Sequence, residues 1–291
     1  MKVFIENDRL RVEVATRGGE LVSFFDRRRQ RQLLWQGDPE FWGRRAPVLF
    51  PIVGRLAGDE ARYPSVAAPM GQHGFARDLT WTELDRTAGS LLFRLQANAD
   101  TRAVYPHDFE LETRYSLEGC LLRVEYRVRN HGGDAMPFSI GAHPGFRCPW
   151  GPGEDFDDYF LEFEAAERAD RIVLVAGLRD GERRPGLLGQ RVLPLSRRLF
   201  EDDALAFDQL VSRHVTLCSR RSAGGLRMHF EGFPFFAIWT KPRSSAPFVC
   251  LEPWHGIADA SGPVVPFAEK LGMRSLEAGG EFACAYRLEV T

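Results

Sequence analysis

The chain of 291 residues has few cysteines and no close pair among them. Structural zinc sites and disulfide-rich domains both depend on closely spaced or evenly numbered cysteines. Here the cysteines are odd in number, widely spaced and without a Cys-x-x-Cys motif, so we expect neither a metal centre nor a disulfide framework. Reduced thiols of this kind favour a cytoplasmic location. The five are Cys120, Cys148, Cys218, Cys250 and Cys284.

Long apolar runs are also missing. No stretch reaches the roughly 18 apolar residues that a membrane-spanning helix requires. The segment Met1–Asp8 has no apolar region of the length found in signal peptides. The formal net charge is -2, so no excess of positive charge attracts nucleic acid or an anionic membrane. We therefore expect no nucleic-acid partner and no membrane partner.

Several common catalytic motifs are absent. Ser139 does not lie in a Gly-x-Ser-x-Gly elbow. The chain has no Gly-x-Gly-x-x-Gly after a strand, no phosphate-binding loop with its lysine, and no His-Glu-x-x-His. These absences argue against an α/β-hydrolase, a nucleotide-dependent enzyme and a zinc protease, and no cofactor is expected.

Alternation of apolar and polar residues dominates the pattern that is present. In the segment Leu121–Asn130, Leu122, Val124, Tyr126 and Val128 share one face, and charged residues occupy most of the other. A period of two is typical of a half-buried antiparallel strand. Similar short runs recur along the chain, and glycine-rich turns separate most of them. This pattern predicts an all-β fold, a large antiparallel β-sandwich with a few short helical turns.

The predicted helices are single turns in one continuous domain. Asp38 is a candidate N-cap with Pro39 at the first helical position, and Pro266–Lys270 is a second candidate turn. No linker, fixed-period repeat or low-complexity tract divides the chain. We therefore predict a single domain over residues 1–291.

The stretch Val249–Asp259 is the first candidate for chemistry. Glu252 ends an apolar run and is followed by Pro253, so the strand is expected to stop there. Trp254 offers a ring that stacks on the apolar face of a sugar while the carboxylate takes a hydroxyl proton. His255 is expected to lie at the rim of the same site. The alternative is a solvated glutamate at a strand end.

His143 lies in a Gly-Ala-His-Pro-Gly segment, where glycines allow close backbone approach and proline stiffens the chain. An unperturbed imidazole titrates near pH ~6.5 and a free glutamate near pH ~4.3. His143 and Glu252 are therefore charged correctly for one acid and one base without large pKa shifts. The alternative is a core histidine whose hydrogen bonds are satisfied.

Two further segments place basic side chains among glycines. Positions i and i+4 of a strand share a face, so His73 and Arg77 are expected to point into one groove. Arg55 follows Gly54 and offers a rigid donor fork for hydroxyls or a phosphate. The alternatives are a turn histidine and surface arginines.

Together these motifs resemble, in order, those of the aldose 1-epimerase (mutarotase) family, and in particular its LacX-like branch. The resemblance runs nearly end to end. It implies a large antiparallel β-supersandwich of the galactose mutarotase type, with sugar bound in an open cleft. The segments that carry it are Leu34–Trp42, Ala46–Leu56, Gln72–Asp78, Gly141–Phe146 and Leu251–Trp254.

The resemblance also implies roles for individual residues. His143 matches the general acid of the family, and Glu252 matches its general base. His73 matches a substrate-binding histidine, and two arginines match cleft-lining positions. Those arginines are Arg55 and Arg77.

One substrate-binding aspartate of the family is expected later in the chain, and Asp203 and Asp208 are both candidates. Many relatives carry tyrosine after the tryptophan, where this chain has His255, which leaves the specificity at the rim open.

The implied reaction is the interconversion of the α and β anomers of a free hexose, without a metal or cofactor, by a monomer or a homodimer. One alternative is a hexose 6-phosphate substrate, gripped by Arg55 and Arg77. Another is a non-catalytic carbohydrate-binding or sensing module on the same fold. Glycoside hydrolysis fits less well because it usually needs two carboxylates, and no second motif-borne acid pairs with Glu252.

Overall fold

The computed structural model describes all 291 residues, and its backbone is predominantly extended. Strands account for 52% of the chain and helices for 8%. In the first half of the chain the strands are β1 (Lys2–Glu6), β2 (Leu10–Ala15), β3 (Glu20–Asp26), β4 (Arg31–Gln32), β5 (Val48–Leu49), β6 (Glu60–Arg62), β7 (Ala67–Pro69), β8 (Thr82–Arg86), β9 (Ser90–Gln96), β10 (Phe109–Glu118), β11 (Leu121–Asn130), β12 (Met136–Phe138), β13 (Ile140–Ala142) and β14 (Gly145–Arg147). In the second half they are β15 (Tyr159–Val175), β16 (Leu178–Pro194), β17 (Leu205–Phe207), β18 (His214–Ser219), β19 (Gly225–His229), β20 (Phe235–Trp239), β21 (Phe248–His255), β22 (Arg274–Leu276) and β23 (Glu281–Val290).

Helical structure is limited to short pieces. The α-helix α1 (Ala99–Val104) begins at Asn98, whose side chain accepts a hydrogen bond from the Thr101 backbone N–H while the Thr101 hydroxyl accepts from the Asn98 N–H. No helix has the length and apolar character needed to cross a membrane. The remaining pieces are 3₁₀ turns at Ala57–Asp59, Ala76–Asp78, Phe156–Asp158, Arg197–Phe200 and Phe267–Glu269.

Both predicted helical turns are present, one as a 3₁₀ turn and the other as a single hydrogen-bonded turn. The 3₁₀ turn Phe267–Glu269 lies within the predicted segment. The segment after Asp38 makes one turn, with the Trp42 N–H donating to the Asp38 carbonyl, but no helix continues from it.

The strands form one very large antiparallel sheet and several small ones. The main sheet has 15 strands in the order β5-β13-β21-β20-β17-β15-β18-β19-β23-β11-β10-β9-β8, with β14 paired to β21 and β16 paired to β15. Strands β1 to β4 form a separate four-stranded sheet. The predicted all-β, large antiparallel fold class is therefore confirmed.

Side-chain alternation explains why these segments are strands. Along β11, Leu122, Val124, Tyr126 and Val128 are buried, as predicted, and the intervening arginines face outward. The largest core cluster contains 63 buried residues that extend from the first strand to the last. The division of the chain into domains stays a prediction.

The hairpin of β15 and β16 differs most from the sequence-based expectation. Each strand has 17 residues and is far longer than the short runs that the alternation predicted. Four register shifts interrupt the pairing, and β16 pairs only with β15, so most of it is exposed. An edge strand of this kind needs no apolar face, and its sequence therefore carries no periodic signal.

The strand that carries Glu252 also continues beyond its predicted end. β21 runs through Pro253 to His255. The Leu251 N–H donates to the Pro144 carbonyl, in the turn between β13 and β14. Backbone groups two residues apart on a strand point the same way, so the backbone nitrogen of Pro253 also faces this turn. The turn interrupts the pairing of β21 with β13 and β14 opposite Pro253. The missing N–H of Pro253 therefore removes no hydrogen bond between strands.

Candidate active site

An open cleft of about 780 Å³ contains most of the predicted site residues. It is lined by 20 residues, contributed by the β13–β14 turn, β20, β21, the segments around Arg55 and His73, and the tip of the β15–β16 hairpin. The predicted residues in its lining are Arg55, His73, Arg77, His143, Asp203, Glu252 and Trp254.

Two strand pairings bring His143 to Glu252. Every residue of β21 is buried, and alternation along this strand places Cys250, Glu252 and Trp254 on one face. Strands β13 and β14 both pair with β21, so the turn between them, which carries His143, crosses Glu252. The distance from His143 Nε2 to Glu252 Oε2 is 3.1 Å.

Burial shifts the proton affinity of both groups. It raises the pKa of Glu252 well above its ordinary range, and the negative charge of Asp203 adds to the rise. Burial also lowers the pKa of His143 to about 3, and the charges of Arg77 and Arg44 add to this effect. The expectation of two groups without large pKa shifts is therefore wrong, because desolvation disfavours the charged form of each.

His73 and Arg77 share the cleft, as predicted, but a turn places them there and not a strand. His73 has a φ of +65°, and its Nδ1 accepts a hydrogen bond from the Gly54 N–H at 3.1 Å. Its ring lies edge-on to that of His143, with centroids 5.5 Å apart. Arg77 lies on the 3₁₀ turn Ala76–Asp78.

Arg55 lies in the cleft wall with its charge already paired. Its Nε and Nη2 donate to the two carboxylate oxygens of Asp59, each at 2.7 Å. Its Nη1 donates to the Ala176 carbonyl at the hairpin tip, at 3.3 Å. Asp59 also lines the cleft, so this part of the wall is close to electrically neutral.

Of the two candidate aspartates, only Asp203 lines the cleft. Burial raises the pKa of Asp203. Asp208 lies outside the cleft, where Arg183 donates to both of its carboxylate oxygens at 2.9 and 2.6 Å.

Two tryptophans that the sequence reasoning did not single out complete the cleft. The ring of Trp42 lies 4.9 Å from that of His143 at an interplanar angle of 31°. The ring of Trp239 lies 5.5 Å from His143 at 79°. Trp42 lies in one of the motifs that carry the family resemblance, and that motif could have identified it. The position of Trp239 depends instead on the pairing of β20 with β21.

His255 does not lie at the rim, so that expectation is wrong. It follows Trp254 on β21 and therefore points to the opposite face of the strand. There its ring packs between Phe233 and Phe282, and its Nδ1 accepts a hydrogen bond from Arg274 Nε at 3.1 Å.

One group of side chains has the composition of a metal site. Ligand atoms of His143, Cys250 and Glu252 lie within 4.8 Å of one another. Burial raises the pKa of the Cys250 thiol and of the Glu252 carboxyl, so both would have to lose a proton before binding a metal. The chemistry of this donor set therefore does not favour a metal ion.

Comparison with known families and sequences gives matches over most of the chain. The family model described as aldose 1-epimerase matches residues 1–269. The plasmid-encoded and chromosomal LacX proteins of Lactococcus lactis subsp. lactis are each 39% identical over 267 residues, which cover 89% of this chain and 89% of theirs.

Solved structures match the full length. A galactose mutarotase related enzyme from Lactobacillus acidophilus is 34% identical, with a TM-score of 0.95 over 100% of this chain and 97% of that chain. A galactose mutarotase-like protein from Lactobacillus casei is 31% identical, with a TM-score of 0.94 over 100% of both chains.

Proposed function

The chain belongs to the aldose 1-epimerase family, and we propose that it is a mutarotase acting on a free hexose. The observation that carries this proposal is the contact between His143 Nε2 and Glu252 Oε2, 3.1 Å apart in an open cleft. An imidazole and a carboxyl at this distance form the acid and base that anomer interconversion requires.

In the proposed reaction, Glu252 removes the proton from the C1 hydroxyl and His143 protonates the ring oxygen. The ring opens to the aldehyde, C1 rotates about the C1–C2 bond, and the ring closes on the other face with the two roles reversed. Each positioned acid or base contributes roughly 10²–10⁴-fold, and holding both against an oriented sugar adds a proximity effect.

The pKa shifts fit a pair that carries one proton between its members. Burial favours the uncharged form of each group, which leaves the proton on Glu252. Moving this proton to His143 creates the carboxylate base and the imidazolium acid in one step. No proton from solvent is required, because the two atoms are already 3.1 Å apart.

The rest of the cleft suits a neutral polyol. We assign stacking on the apolar sugar face to Trp42 and Trp239. We assign hydrogen bonds with the sugar hydroxyls to His73, Arg77 and Asp203.

The structure favours a free hexose over a hexose 6-phosphate. Arg55, one of the two candidate phosphate ligands, is held by both oxygens of Asp59. Asp203 adds a carboxylate to the same cleft, and this would repel a phosphate. Rates on glucose and on glucose 6-phosphate separate the two substrates, and faster turnover of the phosphate would contradict this choice.

A non-catalytic sugar-binding module is the second candidate. Binding alone does not require a buried carboxyl and a buried imidazole in contact, and burial of such groups opposes folding. Their presence therefore favours catalysis. The cytoplasmic location and the monomeric or homodimeric state stay predictions.

Polarimetry on freshly dissolved α-glucose and α-galactose tests the proposal. We expect faster approach to the same final rotation with the wild-type protein. His143→Asn and Glu252→Gln should each lower the catalysed rate by at least about 100-fold while the circular dichroism spectrum is retained. Near-wild-type rates in either variant would remove that residue from the mechanism. Sugar binding without any rate acceleration by the wild type would support the binding module instead.

A further inference from the structure

A buried ion pair lies behind the cleft wall. The side chains of Lys270 and Asp259 are 1% and 5% exposed, and Lys270 Nζ is 3.9 Å from Asp259 Oδ1. Neither residue lines the cleft. Lys270 Nζ and Asp259 Oδ1 have no hydrogen-bond partner in the protein, and the guanidinium of Arg179 is a third charge that interacts with both groups.

Asp259 joins three separate segments. Its Oδ2 accepts a hydrogen bond from the Ala57 N–H at 3.1 Å. Its backbone N–H donates to the Arg55 carbonyl at 2.9 Å, and its carbonyl accepts from the Arg179 N–H at 2.8 Å. Asp259 therefore links the loop that carries Arg55, the start of β16 and the segment that follows β21.

Each of these segments presents a residue to the cleft. Arg55, Ala176 and Ala258 all line it. Arg55 donates to the carbonyl of Ala176, and the side chain of Arg179 donates to the carbonyl of Ala258 at 2.8 Å. We call these three residues the Asp259 wall. Its parts come from distant regions of the sequence and meet at Asp259.

We propose that Asp259 and Lys270 are positioning residues that hold the Asp259 wall in its sugar-binding arrangement. This inference rests on the proposed function, because it assigns the wall to substrate binding. A buried carboxylate without a counter-charge is strongly disfavoured. Removing the ammonium would take away the counter-charge that lies 3.9 Å from Asp259 Oδ1, draw this carboxylate toward solvent and release the Ala57 N–H. The wall would then loosen, while His143 and Glu252 lie on other elements and keep their contact.

The charges around Lys270 predict a pH dependence of sugar binding. Burial lowers the pKa of Lys270 to about 8, Asp259 opposes this shift, and the charge of Arg179 increases it. His73, whose pKa is itself lowered by burial and neighbouring charges that include Lys270, stays neutral. Above about pH 8 the ammonium deprotonates, and Asp259 loses its counter-charge. KM of the wild type should therefore rise at alkaline pH, whereas KM of Lys270→Met should show no such rise.

The kinetic test separates positioning from catalysis. We expect Lys270→Met to raise KM by about tenfold and to leave kcat within about twofold. The double variant Asp259→Asn/Lys270→Met removes both charges and keeps an acceptor for the Ala57 N–H, so it should recover most of the affinity. Lys2→Met, an exposed change on β1, is the matched control. A loss of kcat at unchanged KM, or no recovery in the double variant, would overturn the inference.

Hydrogen exchange without sugar separates this inference from the proposed function. Backbone amides of segments 54–59 and 174–180 should exchange faster in Lys270→Met than in wild type and return toward wild type in the double variant. Unchanged exchange in these segments would refute the inference even if the enzyme is active. If the wild type fails to accelerate mutarotation, the proposed function fails, and the exchange data still decide whether this ion pair holds the wall. The double variant, which removes both charges of the Asp259–Lys270 pair, covers the case in which Lys270→Met does not fold.

Discussion

At the scale of single residues, close packing of the backbone determines where His143 and Glu252 meet. A Cβ atom on Gly141 would lie 2.7 Å from the Trp254 ring and 3.2 Å from the Pro253 carbonyl. Only glycine lets β13 approach β21 this closely. His143, two residues later, then reaches Glu252. The contact between His143 and Glu252 therefore depends on a residue that has no side chain.

The two candidate aspartates give a matched pair of substitutions. We expect Asp203→Asn to lower kcat/KM by about 10- to 100-fold, because it removes the carboxylate that we assign to the sugar hydroxyls. Asp208→Asn breaks the ion pair with Arg183 outside the cleft and should leave kcat/KM unchanged. Polarimetric kinetics on both variants checks this. Equal losses, or a larger loss for Asp208→Asn, would contradict the assignment of Asp203 to the sugar.

At the scale of elements, the cleft depends on loops that are held by tertiary contacts. The loop of Gly54 and Arg55 packs against Ala258, the hairpin tip reaches Arg55, and the Trp42 turn covers His143. None of these segments is a regular strand or helix at its contact point. Their positions follow from the strands that they connect and from a few hydrogen bonds.

Gly54 tests this dependence. It has a φ of +77°, and a Cβ atom there would lie 2.5 Å from the backbone of Ala258. We expect Gly54→Ala to lower the free energy of unfolding by more than about 2 kcal/mol, because it adds both backbone strain and a clash. Chemical denaturation measures the loss.

Gly119→Ala is the control for Gly54. Gly119 has a φ of +56°, but a Cβ atom added there would meet no other atom within 4 Å. Backbone strain alone should cost about 1 kcal/mol there. If the two substitutions cost the same, the packing of Gly54 against Ala258 is not what constrains this loop.

At the scale of the whole molecule, the fold buries a titratable pair at some cost to its stability. In the unfolded chain Glu252 loses its proton above its ordinary pKa of 4.5, whereas the folded protein keeps it because burial raises the pKa. The folded state therefore binds more protons above this pH. The contribution of Glu252 to the free energy of unfolding must then fall as the pH rises from about 4.5.

Glu252→Gln removes this effect while keeping the shape of the side chain. We expect the variant to be more stable than wild type at about pH 7. The difference should shrink as the pH falls toward 4.5, the ordinary pKa of the group. Denaturant titrations of both proteins over this range measure it. A variant that is less stable than wild type at neutral pH would show that Glu252 is ionised and compensated in the folded state.

The sequence by itself determined the local features. Alternation predicted the antiparallel strands, because a half-buried strand must place its apolar residues two apart. Motifs spread along the chain indicated the family and predicted five site residues, all of which line the cleft: His143, Glu252, His73, Arg55 and Arg77. Short-range patterns carry this information because each motif keeps its residue types within one segment.

Only the tertiary structure decided what depends on distant partners. The pairing of strands places Asp203 in the cleft and leaves Asp208 outside it. It also points the side chain of His255 away from the cleft. The ion pair with Asp59 compensates the charge of Arg55. Burial shifts the pKa values of Glu252 and His143, which the sequence alone predicted to be ordinary. Register, charge pairing and desolvation all arise between residues that are far apart in the chain, so no local pattern of residues encodes them.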